Sequence, residues 1–135
     1  MKIAFSTLAC PDWTWPDIYS MAKDLKFDGI EIRGLGNEIF SVKAQPFTEK
    51  QLHATVEKLR SLNLEIPCLS SGACLKFKDK FAEAENEVRE YAKLAQKLDA
   101  SYIRILADLN PGPEDEVDDE YIVECLKKLV PIAEE

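Results

Sequence analysis

The chain has 135 residues, 46% of them hydrophobic and 31% charged, with a formal net charge of -8. That is enough apolar material for one soluble globular unit with a core of ordinary size. The acidity repels a polyphosphate backbone, and no run of Lys or Arg offsets it locally, which argues against nucleic acid as a partner.

The start, MKIAFSTLACPDW, breaks its apolar run at Ser6, Thr7 and Pro11, short of the roughly 20 residues that span a bilayer. A cytoplasmic protein with no membrane partner is the expectation. Residues 2–8 read as a short first strand, and Cys10, Pro11 and Asp12 end its periodicity. Thr14 then offers an N-cap hydroxyl two positions before Pro16, opening a helix with Ile18, Met21, Ala22 and Leu25 on one face.

Gly29 leads into a second strand over residues 30–33, closed by Gly34 and Gly36. After a loop over residues 37–47, Thr48 with Gln51 predicts a capping box for a helix carrying Leu52, Val56, Leu59 and Leu62. Asn63 closes it. Residues 64–70 predict the third strand, with Pro67 tolerated only where the ladder needs no N–H. Ser71, Gly72 and Ala73 open a loop that continues through Lys76, Lys78 and Lys80.

The third helix carries Phe81, Ala84, Val88, Tyr91, Ala92, Ala95 and Leu98 at helical spacing and ends at Asp99. Residues 102–107 read as the fourth strand. An acidic loop over residues 108–119 holds Pro111, Gly112 and Pro113, and a fourth helix follows with Tyr121, Ile122, Cys125, Leu126 and Leu129 on one face. Pro131 should kink or weaken its last turn. The four cysteines, Cys10, Cys68, Cys74 and Cys125, lack C-x-x-C spacing and read as reduced, small apolar side chains.

Strands alternating with helices of ten or more residues predict an α/β fold of parallel strands joined by right-handed crossovers. Four consecutive βα units of roughly 30 to 35 residues match the repeat of a TIM (β/α)8 barrel, which would make residues 1–135 a single partial-barrel domain. A doubly wound open sheet fits the pattern too. The dinucleotide-binding fingerprint does not, since Ile39 stands where a third Gly is needed after Gly34 and Gly36.

The segments KIAFSTLACPDW, LKFDGIEIRG, YIRILA and LVPIAEE, in that order, resemble the sugar phosphate isomerase/epimerase family, the xylose isomerase-like TIM barrels, over their N-terminal half. The resemblance implies a sugar or sugar phosphate bound at the C-terminal mouth of the strands and, in the complete barrel, a divalent metal assisting proton transfer on a sugar or polyol. It also implies that the metal ligands come from strands five to eight. No metal residue is therefore carried over, no metal is expected for this chain by itself, and its one histidine, His53, falls in the second helix. The DNA-repair barrels that share this fold conflict with the acidic charge and the single histidine.

At such a mouth, chemistry comes from strand ends and the loops after them. Glu31 and Arg33 share a parity on the second strand, and Arg104 is similarly placed on the fourth. They fit either a network that orients hydroxyls or an anion, or a structural ion pair filling the barrel interior. Ser6 and Thr7 after the first strand, and Ser70, Ser71 and Gly72 after the third, bring hydroxyls and N–H groups that suit sugar hydroxyls or simply satisfy loop backbone. Trp13 or Trp15 offers a platform for a sugar face, or packs on the neighbouring helix. The substrate-binding candidates are thus Glu31, Arg33, Arg104, Ser6, Ser70 and Trp13.

No Ser-His-Asp set can be assembled with a single His, and no convincing carboxylate pair presents itself as a base. The expectation is an N-terminal fragment that is inactive in isolation. The alternative is a noncatalytic half-barrel that binds a ligand or self-associates through its exposed sheet edges.

Overall fold

A computed structural model describes residues 1–108 and 117–134. Strand β1 (Ala4–Ser6) leads to helix α1 (Trp15–Asp24), β2 (Gly29–Glu31) to α2 (Glu49–Leu62), β3 (Cys68–Cys74) to α3 (Phe81–Leu98), and β4 (Tyr102–Leu106) to α4 (Asp119–Glu134). The prolines and glycine expected in the loop before α4 lie outside the described residues. Among the described residues no helix is long and apolar enough to cross a membrane.

All strand pairs are parallel. Strand β1 pairs with β2 and β3 with β4, and the bridges Gly29 to Glu65 and Ile32 to Leu69 join the two pairs into the order β1-β2-β3-β4. One parity of this wall is apolar: Ile30, Ile32 and Leu69 are completely buried, and Phe5, Ile103 and Ile105 pack with the same cores as the helices. The other parity carries Ser6, Glu31, Arg33, Cys68, Ser70, Tyr102 and Arg104, with Tyr102 70% exposed. A doubly wound sheet would place helices over both faces. Sequential order with one open polar face is instead the wall of half a TIM barrel, its open side being the barrel interior.

Local chemistry explains most element ends. Thr14 and Asp17 form a reciprocal capping box at α1. Asn63 and Asp99 close α2 and α3 in the left-handed conformation that short polar side chains tolerate. The capping box expected at α2 does not form, because the Thr48 hydroxyl donates to the Gln45 carbonyl, the last residues of the preceding loop having wound into a 3-10 turn over Gln45–Phe47. Helix α4 runs through Pro131 to Glu134.

The largest departure is β3. It begins at Cys68, four residues later than the sequence suggests, and continues through Ser71, Gly72 and Ala73, which were expected in a loop. Before Pro67 the chain is already in contact with β2, since Ile30 N–H donates to the Glu65 carbonyl and Glu65 N–H to the Asp28 carbonyl. The ladder to β4 starts beside the proline, whose carbonyl accepts from Tyr102 N–H. After Ser70 the register slips, so that Cys74 next faces Leu106. The bulge is pinned at 2.6 Å by Gly72 N–H donating to the Glu87 carboxylate of α3.

A second tie crosses from α3 to the long loop after β2. The fully buried Tyr91 accepts from Ser41 N–H at 3.1 Å and meets the Phe40 ring edge-on at a centroid distance of 5.5 Å. Gly29 sits where β2 meets the chain before β3, and a Cβ there would lie 2.9 Å from the Glu65 carbonyl oxygen and 3.0 Å from Pro67 Cδ. Both neighbours belong to backbone or ring and cannot rotate away. Gly29→Ala should therefore destabilise the fold by about 1–3 kcal/mol, read as a lowered urea midpoint at unchanged slope; an unaltered midpoint would show that the two strands do not meet there.

Candidate functional site on the open face of the strand wall

Strand register sorts the open-face residues into two rows. Ser6 lies beside Glu31, and Cys68 beside Tyr102; Ser70 lies beside Arg104. The bridge between Ile32 and Leu69 aligns the residues flanking them, Glu31 with Cys68 and Arg33 with Ser70. The first row thus reads Ser6, Glu31, Cys68, Tyr102, and the second, one step closer to the mouth, reads Arg33, Ser70, Arg104.

The rows are stitched by one contact. The Ser70 hydroxyl donates to the Glu31 carboxylate. Ser70 is completely buried and Glu31 half-buried, so the carboxylate faces a neutral donor in a partly dehydrated setting. The anticipated pair between Glu31 and Arg33 is not formed. Among the described residues, neither the Arg33 nor the Arg104 guanidinium makes an ion pair; the Arg33 N–H donates to Thr7 Oγ1 at 2.8 Å, and the Arg104 carbonyl accepts from Ser71 Oγ at 2.9 Å.

Four of the six candidates therefore converge: Glu31, Arg33, Ser70 and Arg104. Ser6 stands beside Glu31 in register, but its hydroxyl accepts the Leu8 N–H at 3.4 Å and caps the 3-10 turn Thr7–Ala9. Trp13 is elsewhere. Its ring, 42% exposed, lines a surface depression of about 560 Å³ down the flank of α1 with Asp17, Met21 and Leu25, away from the two rows. Trp15 packs edge-on against Tyr19 and Phe47.

Other hydroxyls expected at the mouth are consumed by backbone. Thr7 Oγ1 donates to the Gly34 carbonyl at 2.8 Å while accepting from Arg33 N–H. That clamp fixes the end of β2, where Gly34 adopts φ +75, a conformation that glycine enters without strain. Ser71 is completely buried with its hydroxyl on the Arg104 carbonyl. The lysines after β3 are engaged too: Lys76 pairs with Asp108 at 3.1 Å, Lys78 with Asp118 at 2.6 Å, and Lys80 lies over the Phe77 ring. His53 is exposed on α2.

Sequence reasoning missed Cys68, because a lone cysteine without metal or redox spacing gives no signal. Its thiol pKa is raised above the ordinary value, first by burial and then by the Glu31 carboxylate. The Arg104 backbone, the Ser70 hydroxyl and the Arg104 charge oppose this without cancelling it. The thiol is thus held protonated at neutral pH and is a poor nucleophile. A raised folded-state pKa means that the associated stability is present below the unfolded thiol value and is lost as pH rises through the folded one. Iodoacetamide should label Cys68 more slowly than a free cysteine near pH 8, with the gap closing at higher pH. Glu31→Gln should speed labelling and Arg104→Gln slow it, as followed by mass spectrometry; equal rates in all three proteins would show that these charges do not reach the thiol.

The model of the family described as the xylose isomerase-like TIM barrel matches residues 20–135. No curated protein matches the sequence. Among solved structures, the IOLI protein with a zinc atom bound superposes with a TM-score of 0.77 at 16% identity, over 99% of this chain and 48% of that one. The probable 3-DHS dehydratase AsbF of petrobactin synthesis, from Bacillus anthracis, gives 0.72 at 20% identity, over 99% and 47%. A xylose isomerase domain protein from Planctomyces limnophilus gives 0.65 at 15% identity, over 96% and 49%. The chain spans about half the length of each of these structures. Among its own described residues no group of three or more His, Cys, Asp or Glu is placed to hold a metal ion. With strands in sequential order, one face under helices and a family match over most of its length, the chain belongs to the xylose isomerase-like TIM barrel family.

Proposed function

We propose that this chain forms one wall of the sugar-binding mouth of an isomerase- or epimerase-like barrel. The observation that carries this is the Ser70 hydroxyl on the Glu31 carboxylate, at the centre of an open polar face whose reverse side packs Ile30, Ile32 and Leu69 into the core. A half-buried carboxylate with lone pairs to spare accepts from neighbouring sugar hydroxyls, and charge-assisted hydrogen bonds of this kind are the strong ones. Ser70 orients the carboxylate. The fold family supports a sugar or polyol as the ligand and metal-assisted proton transfer as the chemistry of a complete barrel.

In this reading the metal and the base belong to the rest of the complete barrel. Proton abstraction beside a carbonyl needs both a base and stabilisation of the enediolate. The isolated chain is therefore a binding surface without turnover. NMR titration with xylose, fructose and a cyclic polyol should shift resonances of Glu31, Ser70 and their row neighbours, with Glu31→Gln weakening binding roughly ten-fold. In deuterated buffer the ligand should gain no carbon-bound deuterium. Exchange catalysed by the 135-residue chain, or shifts that avoid both rows, would refute this reading.

A second reading has its own support. Among the described residues β1 and β4 each pair on one side only, and Ile3, Leu8 and Tyr102 are exposed near them. Open parallel edges of this kind invite strand addition. In this reading the chain self-associates through its edges as a noncatalytic binding module. Sedimentation equilibrium should then give a dimer whose dissociation is favoured by Tyr102→Lys, whereas a monomer at all concentrations would exclude it.

A further inference from the structure

Helix α1 has two flanks, and one of them is covered. On the side toward α2, Trp15 and Tyr19 meet edge-on, Trp15 meets Phe47, Lys58 lies over the Tyr19 ring at 5.8 Å, and Lys23 donates to the Leu62 carbonyl at 3.3 Å. The opposite flank is a groove lined by Trp13, Asp17, Ser20, Met21, Asp24 and Leu25. Trp13 is 42% exposed and Leu25 65%. A single exposed apolar residue carries no meaning, but a Trp, a Met and a Leu lining one depression form a patch. Helix α1 is 10 residues long, so the groove runs about 15 Å along it, the length of roughly three turns of a second helix laid alongside.

The charge of this groove has one sign. Its ionisable lining residues, Asp17 and Asp24, are both carboxylates. Asp17 is committed to the Thr14 cap of α1, whereas Asp24 forms no ion pair among the described residues. The neighbouring cations Lys23 and Lys26 line a separate depression toward the end of α2. A partner that brings Lys or Arg gains a carboxylate at Asp24 and the face of an exposed indole at Trp13, the best aromatic partner for a cation. An anionic surface, whether nucleic acid or acidic lipid, is repelled by the same groups and by the net charge of -8. A second copy of this chain fits poorly. Its exposed apolar stripe, Val123, Leu126 and Val130, shares α4 with Asp119, Glu120 and Glu124. Lys127 is already paired to Glu124 at 2.8 Å, so carboxylates would face carboxylates.

We propose that the outer flank of α1 docks an amphipathic helix of another protein, with its apolar side chains on Trp13, Met21 and Leu25 and a lysine or arginine on Asp24. Helix-in-groove recognition reads apolar anchors one turn apart on the guest. Met21 and Leu25, four residues apart, offer the matching spacing on the host. Aromatic side chains dominate such contacts, which makes Trp13 the anchor and Asp24 the source of charge selectivity. Three turns bury less surface than a stable complex needs, so the association is transient, with a dissociation constant on the order of tens of micromolar. None of these residues lies on the open face of the strand wall, and the inference is independent of both readings of function.

The test uses synthetic helices of about four turns: one with a leucine face and a lysine face, one with the lysines replaced by glutamate, and one scrambled so that no apolar face forms. Binding to the 135-residue chain is followed by tryptophan emission and by amide shifts. The basic amphipathic helix should move the emission to the blue and shift the amides of Ser20, Asp24 and Leu25. The acidic and scrambled helices should bind about ten-fold more weakly or worse. Trp13→Ala should weaken binding about ten-fold and, since Trp15 is the only other indole, abolish the emission change. Asp24→Asn should weaken it about three-fold and flatten its dependence on salt. Leu126→Ser on α4 should leave it unchanged, and each variant's amide spectrum away from the groove should match the parent's. Equal binding of basic and acidic helices, shifts confined to α4 or the strand edges, or an Asp24→Asn variant with the parent's salt dependence would overturn the inference. So would shifts of Ser20 and Asp24 that grow with the chain's own concentration in the absence of any helix, which would assign the groove to a second copy.

Discussion

The structure depends on the alternation of the strand wall, in which one parity is apolar and sealed by helices while the other is polar and left open. Side chains on a strand point alternately to opposite faces. Ile30, Ile32 and Leu69 therefore cannot be buried against α1, α2 and α3 without Glu31, Arg33 and Ser70 being thrust to the opposite side. Burying a branched aliphatic side chain contributes about 1.5–3 kcal/mol, so a one-residue slip of β2 would expose several such groups and bury charge. The packed face sets the register, and the register sets which polar groups meet.

The devices that hold this register sit at the mouth end of the strands. Thr7 bridges the Gly34 carbonyl and the Arg33 N–H, fixing where β2 ends. Glu87 reaches from α3 to the Gly72 N–H and stabilises the slip in β3. Because that slip comes after Ser70, the residues up to Ser70 keep strict pairing with β4, and Ser71 turns its hydroxyl to the Arg104 carbonyl. Polar groups that could have served a ligand are thus divided. Thr7 and Ser71 satisfy backbone in the interior, while Ser70 is kept for Glu31.

Helices were legible because their signals are local. The bounds of α3 follow from the period of Phe81, Ala84, Val88 and Tyr91 and from Asp99, which closes the helix in the left-handed conformation. The Thr14 cap read correctly for the same reason, with Asp17 completing it. Thr48 failed because its hydroxyl has two acceptable uses, and the 3-10 turn before it presented the Gln45 carbonyl first. Strand β3 was displaced because Pro67 looks like a strand interior when only composition is read. The hydrogen bonds that decide its start come from Asp28, Ile30 and Tyr102, which lie far away in sequence.

By itself, the sequence determined the order of four strand-helix units, the amphipathic faces of the helices and the parity that pairs Glu31 with Arg33 on one side of a strand, because each rests on spacing within a few residues. Tertiary structure alone decided that one face of the wall stays open, that Ser70 rather than Arg33 takes the Glu31 carboxylate, that Trp13 lies on the flank of α1, and that Cys68 shares the site. An acidic chain with no basic run still gathers Arg33 and Arg104 into one row. Parallel crossovers bring together side chains more than sixty positions apart, and no periodicity within a single strand carries that information.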